Sequence, residues 1–323
     1  MDKADQYIER VSDLPPAPTI AVELLGLFAD PDHDIDRVVE LISLDPALTV
    51  ALLKRCNSAS FSGSEAVTNM FEAVTRLGLY EVHCVVAALV GARAMSLGKS
   101  AGRMDVGSLW RHSVVTAVTS AILAKRLRDA EATAFTAGLL HDIGKLVFAT
   151  VESPTYADLV GQAGASGPRL AEVEQMAFGV SHASVGARLL TRWGVPENVA
   201  GATLHHHGSP NFKEPVAQLA ATVGLASDLA HQMTSQNGPN PDALPIRPDT
   251  MILFRLTADD IPTLMTQAQS ELHKVQGLLQ MSVYCCPDYC GACYTLATQV
   301  SFLRWGDSRA DSKQCLDGAS AGT

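Results

Sequence analysis

The sequence predicts an all-α protein made of two helical subdomains and a helical C-terminal extension. Three observations carry this prediction. Apolar residues recur at three- and four-residue spacing in one segment after another, no segment alternates apolar and polar residues as a half-buried strand would, and the breaks between segments hold capping residues, glycine or proline.

Leu14-Pro-Pro-Ala-Pro18 cannot be helical and leads into the first block. Apolar residues then fall at helical spacing at Val22, Leu25, Leu27 and Phe28, at Val38, Val39, Leu41 and Ile42, and at Leu48, Ala51 and Leu52. Asp45-Pro46 puts a capping carboxylate directly before a proline in the first helical position, so a helix opens there and runs towards Asn57. Gly98-Lys-Ser-Ala-Gly102 is a short flexible break, which bounds a first subdomain of residues 1–100 and a second of residues 101–233. So short a connection implies a shared interface.

In the second subdomain helical patterns cover Val106–Leu127, Ala130–Phe148, Tyr156–Ala163, Leu170–Phe178, His182–Trp193, Pro196–His206 and Val216–Met233. The Ser-, Asn- and Pro-rich stretch from Thr234, including Asn237-Gly-Pro-Asn-Pro241, reads as a linker over 234–258. Asp259–Leu279 returns to an amphipathic helix, and Arg309–Thr323 has the small, polar composition of a disordered tail, giving an extension over 259–323.

Composition narrows the function. At 323 residues and 47% hydrophobic content the chain can bury a core without disulfides. With 24 Lys and Arg against 34 Asp and Glu, the net charge of -10 supplies no basic field for nucleic acid or anionic lipid. No uninterrupted apolar run approaches the roughly 18 residues of a membrane helix. The start, Met1-Asp-Lys-Ala-Asp-Gln, lacks the basic end and apolar stretch of a secretory signal. The expectation is a cytoplasmic protein with no membrane partner.

Of seven cysteines, Cys56 and Cys84 sit inside apolar helical patterns and read as reduced core thiols. Cys285, Cys286, Cys290 and Cys293 lie close enough to bind zinc or an iron–sulfur cluster if their thiolates converge. Chance spacing or redox-active thiols are the competing reading, and the one preferred.

The most informative string is Gly138-Leu-Leu-His141-Asp142-Ile-Gly-Lys145. An imidazole and a carboxylate are mixed donors for one divalent cation. Neighbouring helical residues point about 100° apart, so the pair can share a cation only where the helix ends, and Gly144 is the expected stop. Taken alone, a His-Asp dipeptide is more ordinarily a surface or capping feature. The surroundings weigh the other way: His112, His182, His206-His207 and Asp228 each fall inside an apolar helical pattern, where polar groups need partners and a metal would serve them together.

The order His112, His141-Asp142, Asp228 resembles the HD superfamily, and His182 with His206-His207 resembles the binuclear subset that includes the HD-GYP phosphodiesterases. The closer resemblance is to the HDOD family. Its hallmarks are Leu14-Pro-Pro-Ala-Pro18, Ser43-Leu-Asp45-Pro46, Leu52-Leu53 with Cys56-Asn57-Ser58, Ala73 with Leu77-Gly78, Gly138-Leu-Leu-His-Asp142, Glu174 with Phe178-Gly179, His182-Ala with Val185-Gly186, and Trp193-Gly-Val-Pro196. The match runs from about residue 14 to residue 232.

This resemblance implies a signalling module with protein partners and one or two divalent metal ions, iron or manganese ahead of zinc. The implied ligands are His112, His141, Asp142 and Asp228, with His182, His206 and His207 for a second position. The alternative is a metal-dependent phosphohydrolase acting on a nucleotide or phosphoester, with Asp142 and Lys145 in catalytic roles and Lys145 steadying phosphate oxygens. Hydrolysis of cyclic di-GMP is not expected, because His206-His207 is followed by Gly208-Ser-Pro210 where HD-GYP proteins carry a Glu and later a Gly-Tyr-Pro loop. Ser108 stands where trimetal members have a Glu, so at most two metals are implied.

Overall fold

The computed structural model describes residues 2–11, 18–30, 32–58, 61, 66–97, 104–163, 167–208, 216–234 and 248–284, and no strand occurs among them. The first helices are α1 (Lys3–Glu9), α2 (Thr19–Phe28), α3 (Ile35–Ser43), α4 (Pro46–Cys56), α5 (Met70–Leu77) and α6 (Leu79–Met95). Local chemistry sets their starts. Asp34 accepts from Asp36 N, Asp45 from Ala47 N and Leu48 N, and Asn69 from Glu72 N, each satisfying a backbone donor that a helix leaves unpaired. Gly78, at φ 78°, turns α5 into α6 through 105°.

The remaining helices are α7 (Val106–Leu127), α8 (Glu131–Leu140), α9 (Gly144–Val151), α10 (Thr155–Ala163), α11 (Gly167–Phe178), α12 (His182–Trp193), α13 (Glu197–His205), α14 (Ala217–Thr234), α15 (Pro248–Leu253) and α16 (Asp260–Tyr284). The long helix α7 is the axis, packed against α8, α14 and α16. Its small residues Ala117, Ser120 and Ala121 let neighbours come close. A Cβ on Gly138 of α8 would stand 2.6 Å from Ser120 Oγ and 2.9 Å from Thr116 O, so only glycine permits this α7–α8 contact.

Four features depart from the sequence expectation. The apolar pattern over Ala130–Phe148 is not one helix: α8 ends at Leu140, His141–Ile143 form a turn, and α9 starts at Gly144. Gly144 is therefore not a helix stop. It lies where α9 meets α12, and a Cβ there would fall 2.0 Å from His182 O. Helix α1, assigned by position to the first subdomain, packs against α9 and α12, with Tyr7 edge-on to Phe148 at 5.0 Å. Part of the expected linker is ordered, since α15 falls inside it and Thr250, Phe254 and Leu256 are buried.

One continuous apolar core runs from Ala4 to Leu272 through both blocks. Helix α6 packs against α8, and α16 lies against α4, α6 and α7, so the blocks share their interior. Cys56 and Cys84 are buried in that core. The stretch Glu131–Val151 is long and apolar enough to cross a membrane by composition, yet 89% of it is buried inside the protein. The proline-rich segment at 14–17, the break at 98–103, Cys285, Cys286, Cys290, Cys293 and the tail at 309–323 lie outside the described residues.

Candidate metal centre

Five segments bring the polar residues of the second subdomain to one point: α7 supplies His112, the α8–α9 turn His141 and Asp142, the start of α12 His182, the end of α13 His206 and His207, and α9 Lys145. Two groups of ligand atoms result, each with its members within 4.8 Å of one another: His112, His141 and Asp142, and Asp142, His182, His206 and His207. Asp142 belongs to both. Its Oδ2 lies 3.3 Å from His141 Nε2 and 3.6 Å from His112 Nε2, and its Oδ1 lies 3.3 Å from His182 Nε2 and 3.9 Å from His206 Nε2.

Hydrogen bonds behind the centre fix the imidazoles. His141 Nδ1 is 2.8 Å from Gly138 O and His206 Nδ1 is 2.6 Å from Thr203 O, so each donates its Nδ1–H backwards and turns an Nε2 lone pair towards Asp142. Glu174 Oε2 accepts from the backbone N–H of His182 and from its Nδ1, both at 2.6 Å, while Tyr156 OH donates to Glu174 Oε1 at 2.7 Å. A carboxylate behind a histidine in this way orients the ring and makes Nε2 a stronger donor. Lys145 Nζ donates to Asp142 Oδ2 at 2.6 Å.

Burial sets the protonation states. Burial, then the neighbouring histidines, hold His112, His206 and His207 well below the usual imidazole range. Burial raises Asp142, but His141 and Lys145 beside it outweigh this and hold the carboxyl well below its usual range. Burial also lowers His182, but the Glu174 charge and the hydrogen bonds to Asp142 and Glu174 prevail and raise it. His182 Nε2 faces the buried Asp142 Oδ1 at 3.3 Å without a well-aligned hydrogen bond. Several imidazole nitrogens and one carboxylate converge in this buried space, where such polar groups need partners. The donor set therefore fits a divalent metal bound through nitrogen and oxygen.

Asp228, expected as a ligand from its place in the chain, belongs to neither group and is half-buried on α14. Ser227 Oγ lies 3.2 Å from His112 Nε2, and His231, four residues on, stacks on the His112 ring at 4.1 Å. Ser227, His231 and Tyr156 were not legible as parts of the site, and Glu174 enters the sequence reading only as a family position. The repeat of Ser227 and His231 on one helical face is the signal that could have found that pair. Arg111 pairs with Asp105 at 3.8 Å, its expected surface role.

The HDOD domain model matches residues 14–209, well over half of the chain and spanning His112 through His207. The chain belongs to the HDOD domain family. This HDOD chain is 28% identical over 226 residues to an uncharacterized protein of Treponema pallidum (strain Nichols), covering 69% of the chain and 43% of that relative. It is 29% identical over 159 residues to Ribonuclease Y of Acholeplasma laidlawii (strain PG-8A), covering 49% of the chain and 23% of that relative. The HDOD chain thus spans less than half the length of these curated relatives.

Among solved structures, an HDOD domain protein of unknown function from Geobacter sulfurreducens superposes with TM-score 0.67 at 23% identity, over 87% of this chain and 97% of that one. A chain from Shewanella amazonensis SB2B, provisionally assigned as a phosphohydrolase, superposes with TM-score 0.60 at 24% identity, over 87% and 98%. A third, from Marinobacter aquaeolei VT8 and provisionally assigned as a signal transduction protein, gives 0.67 at 20% identity, over 87% and 65%. At these identities they establish the all-helical fold.

Proposed function

We propose that this HDOD chain is a regulatory module of bacterial signal transduction, working in the cytoplasm through protein partners, whose histidine–aspartate centre holds one or two divalent metal ions, iron or manganese ahead of zinc. The observation that carries this reading is the burial of the centre together with its braced geometry. His141 and His182 are fully buried, Asp142 and His206 are 1% exposed, and the rings are held from behind by Gly138, Glu174 and Thr203. Such a centre ties α7, the α8–α9 turn, α12 and α13 together, so metal binding is coupled to helix packing. The signal-transduction assignment of the Marinobacter structure supports the same class.

The second reading, a metal-dependent phosphohydrolase, is favoured by one observation. Lys145, a buried ammonium on Asp142, is a cation suited to phosphate oxygens if it swings away from Oδ2. A bound divalent ion would supply Lewis-acid activation of a phosphoester. Ribonuclease Y among the relatives and the phosphohydrolase assignment of the Shewanella structure support this class. The test is a hydrolysis screen with Mn²⁺ or Fe²⁺ against nucleotides, cyclic dinucleotides, short RNA and a generic phosphodiester. The module reading expects no turnover and partner binding that depends on metal. Turnover lost in both His141→Ala and Asp142→Ala overturns it in favour of the enzyme.

A further inference from the structure

Three imidazoles of the centre are held from behind by a hydrogen bond at Nδ1: His141 by Gly138 O, His182 by Glu174 and His206 by Thr203 O. His112 is not. Its Nδ1 is buried and has no hydrogen-bond partner among the described residues. The torsion that turns an imidazole about its bond to Cβ is broad and roughly two-fold, so a ring without such a tether is poorly oriented and makes a weaker metal ligand. Yet His112 Nε2 stands 3.3 Å from His141 Nε2 and 3.6 Å from Asp142 Oδ2, pointed into the centre. Another group must orient it.

The side chain in place to do so is His231 of α14. Its ring lies on the His112 ring with centroids 4.1 Å apart and planes inclined by 26°. A flat neighbour in van der Waals contact with one face of an imidazole leaves that torsion little room to swing. His231 Nε2 is itself buried and forms no hydrogen bond, so the ring face is what it offers His112. Ser227, one turn earlier and on the same side of the helix, touches the edge of the His112 ring, its Oγ 3.2 Å from Nε2. A hydroxyl at that edge favours the nitrogen over the carbon that a ring flip would put in its place.

We infer that His231 is a positioning residue of the candidate metal centre: it sets the plane of the His112 ring by stacking, while Ser227 selects the edge turned inwards. This inference rests on the reading that the centre binds metal. His231 belongs to neither group of ligand atoms, so it acts on the His112–His141–Asp142 group through His112.

The test is Mn²⁺ binding to the metal-stripped full chain, read by the loss of the free-ion spin-resonance signal. His231→Leu keeps the buried volume and removes the flat ring. It should weaken the binding that depends on His112 by about 10-fold or more, with the circular dichroism unchanged. His231→Phe restores the stack without a nitrogen and should return the affinity to that of the wild type. In a His112→Ala background, where there is no ring to orient, His231→Leu should cost nothing further. Wild-type affinity in His231→Leu overturns the inference, and so does a loss that His231→Phe fails to rescue or that persists without His112. If His231→Leu does not fold, His231→Phe decides alone, because weakened binding in it overturns the inference. All of these results leave the metal-binding reading standing. No Mn²⁺ binding by the wild type sinks both.

Discussion

At Asp142 a single carboxylate faces five nitrogens, and the chemistry around it follows from which oxygen each one meets. The His-Asp pair was legible because two adjacent donor types stand out in an apolar stretch. The orientation of the rings was not, because it comes from hydrogen bonds to Gly138 O, Thr203 O and Glu174. The contacts of Ser227 and His231 with His112 show the same limit, since nothing in the chain's order singled out either residue. Glu174→Gln should weaken metal binding by about 10- to 100-fold while leaving the circular dichroism unchanged, since it removes a charge behind His182 and little volume. Away from the centre, His83 is buried between Phe28 and Thr136, and burial lowers its pKa from 6.5 to about 4. A histidine depressed in the folded state takes up its proton more readily when unfolded, so its effect is absent above about pH 6.5, and stability falls as the pH drops from there towards 4. The full loss is roughly 3 kcal/mol. Denaturation of His83→Gln at several pH values should show a shallower decline over that window, and an unchanged slope would remove His83 as its source.

Between elements, what decides the architecture is where backbones are allowed to touch. Capping chemistry is local, so the start at Asp45-Pro46 and the spans His182–Trp193 and Val106–Leu127 could be read from the chain. The break between α8 and α9 could not, because the apolar period runs through it without interruption. Its cause is tertiary: the turn carries His141 and Asp142 into the interior, and Gly144 then meets His182 O and Gly186 N across the α9–α12 contact. A methyl group on Gly144 must push these helices apart just where His182 enters the centre. Gly144→Ala should therefore cost about 3 kcal/mol or more, seen as a lower unfolding midpoint, and should also lose metal. Normal stability with full metal occupancy would show that the contact is looser than described. The docking of α1 on α9 and α12 is likewise non-local, made by Tyr7 among Phe148 and Phe178 and by Arg10 on Glu152.

Over the whole molecule, the division into two blocks is a feature of the chain more than of the core. The core is continuous, α1 crosses to the second block, and α16 rests on α4, α6 and α7 together, with Leu264 and Ala268 fully buried. Unfolding should therefore be one cooperative transition, and Leu264→Ala should lower it as a unit by about 2–5 kcal/mol. Two separated calorimetric peaks would mean that the blocks fold independently. The candidate metal centre lies among buried residues of the second block, so ion binding, if it occurs there, should register as global stability. The most direct test of that central claim is the metal content of the anaerobically purified full chain beside its Asp142→Asn variant, since Asp142 serves both ligand groups. The account predicts one or two divalent ions per chain in the wild type, a raised unfolding midpoint with metal present, and loss of both in Asp142→Asn; a wild type that neither carries nor takes up metal, or an Asp142→Asn variant that binds it equally well, would contradict it.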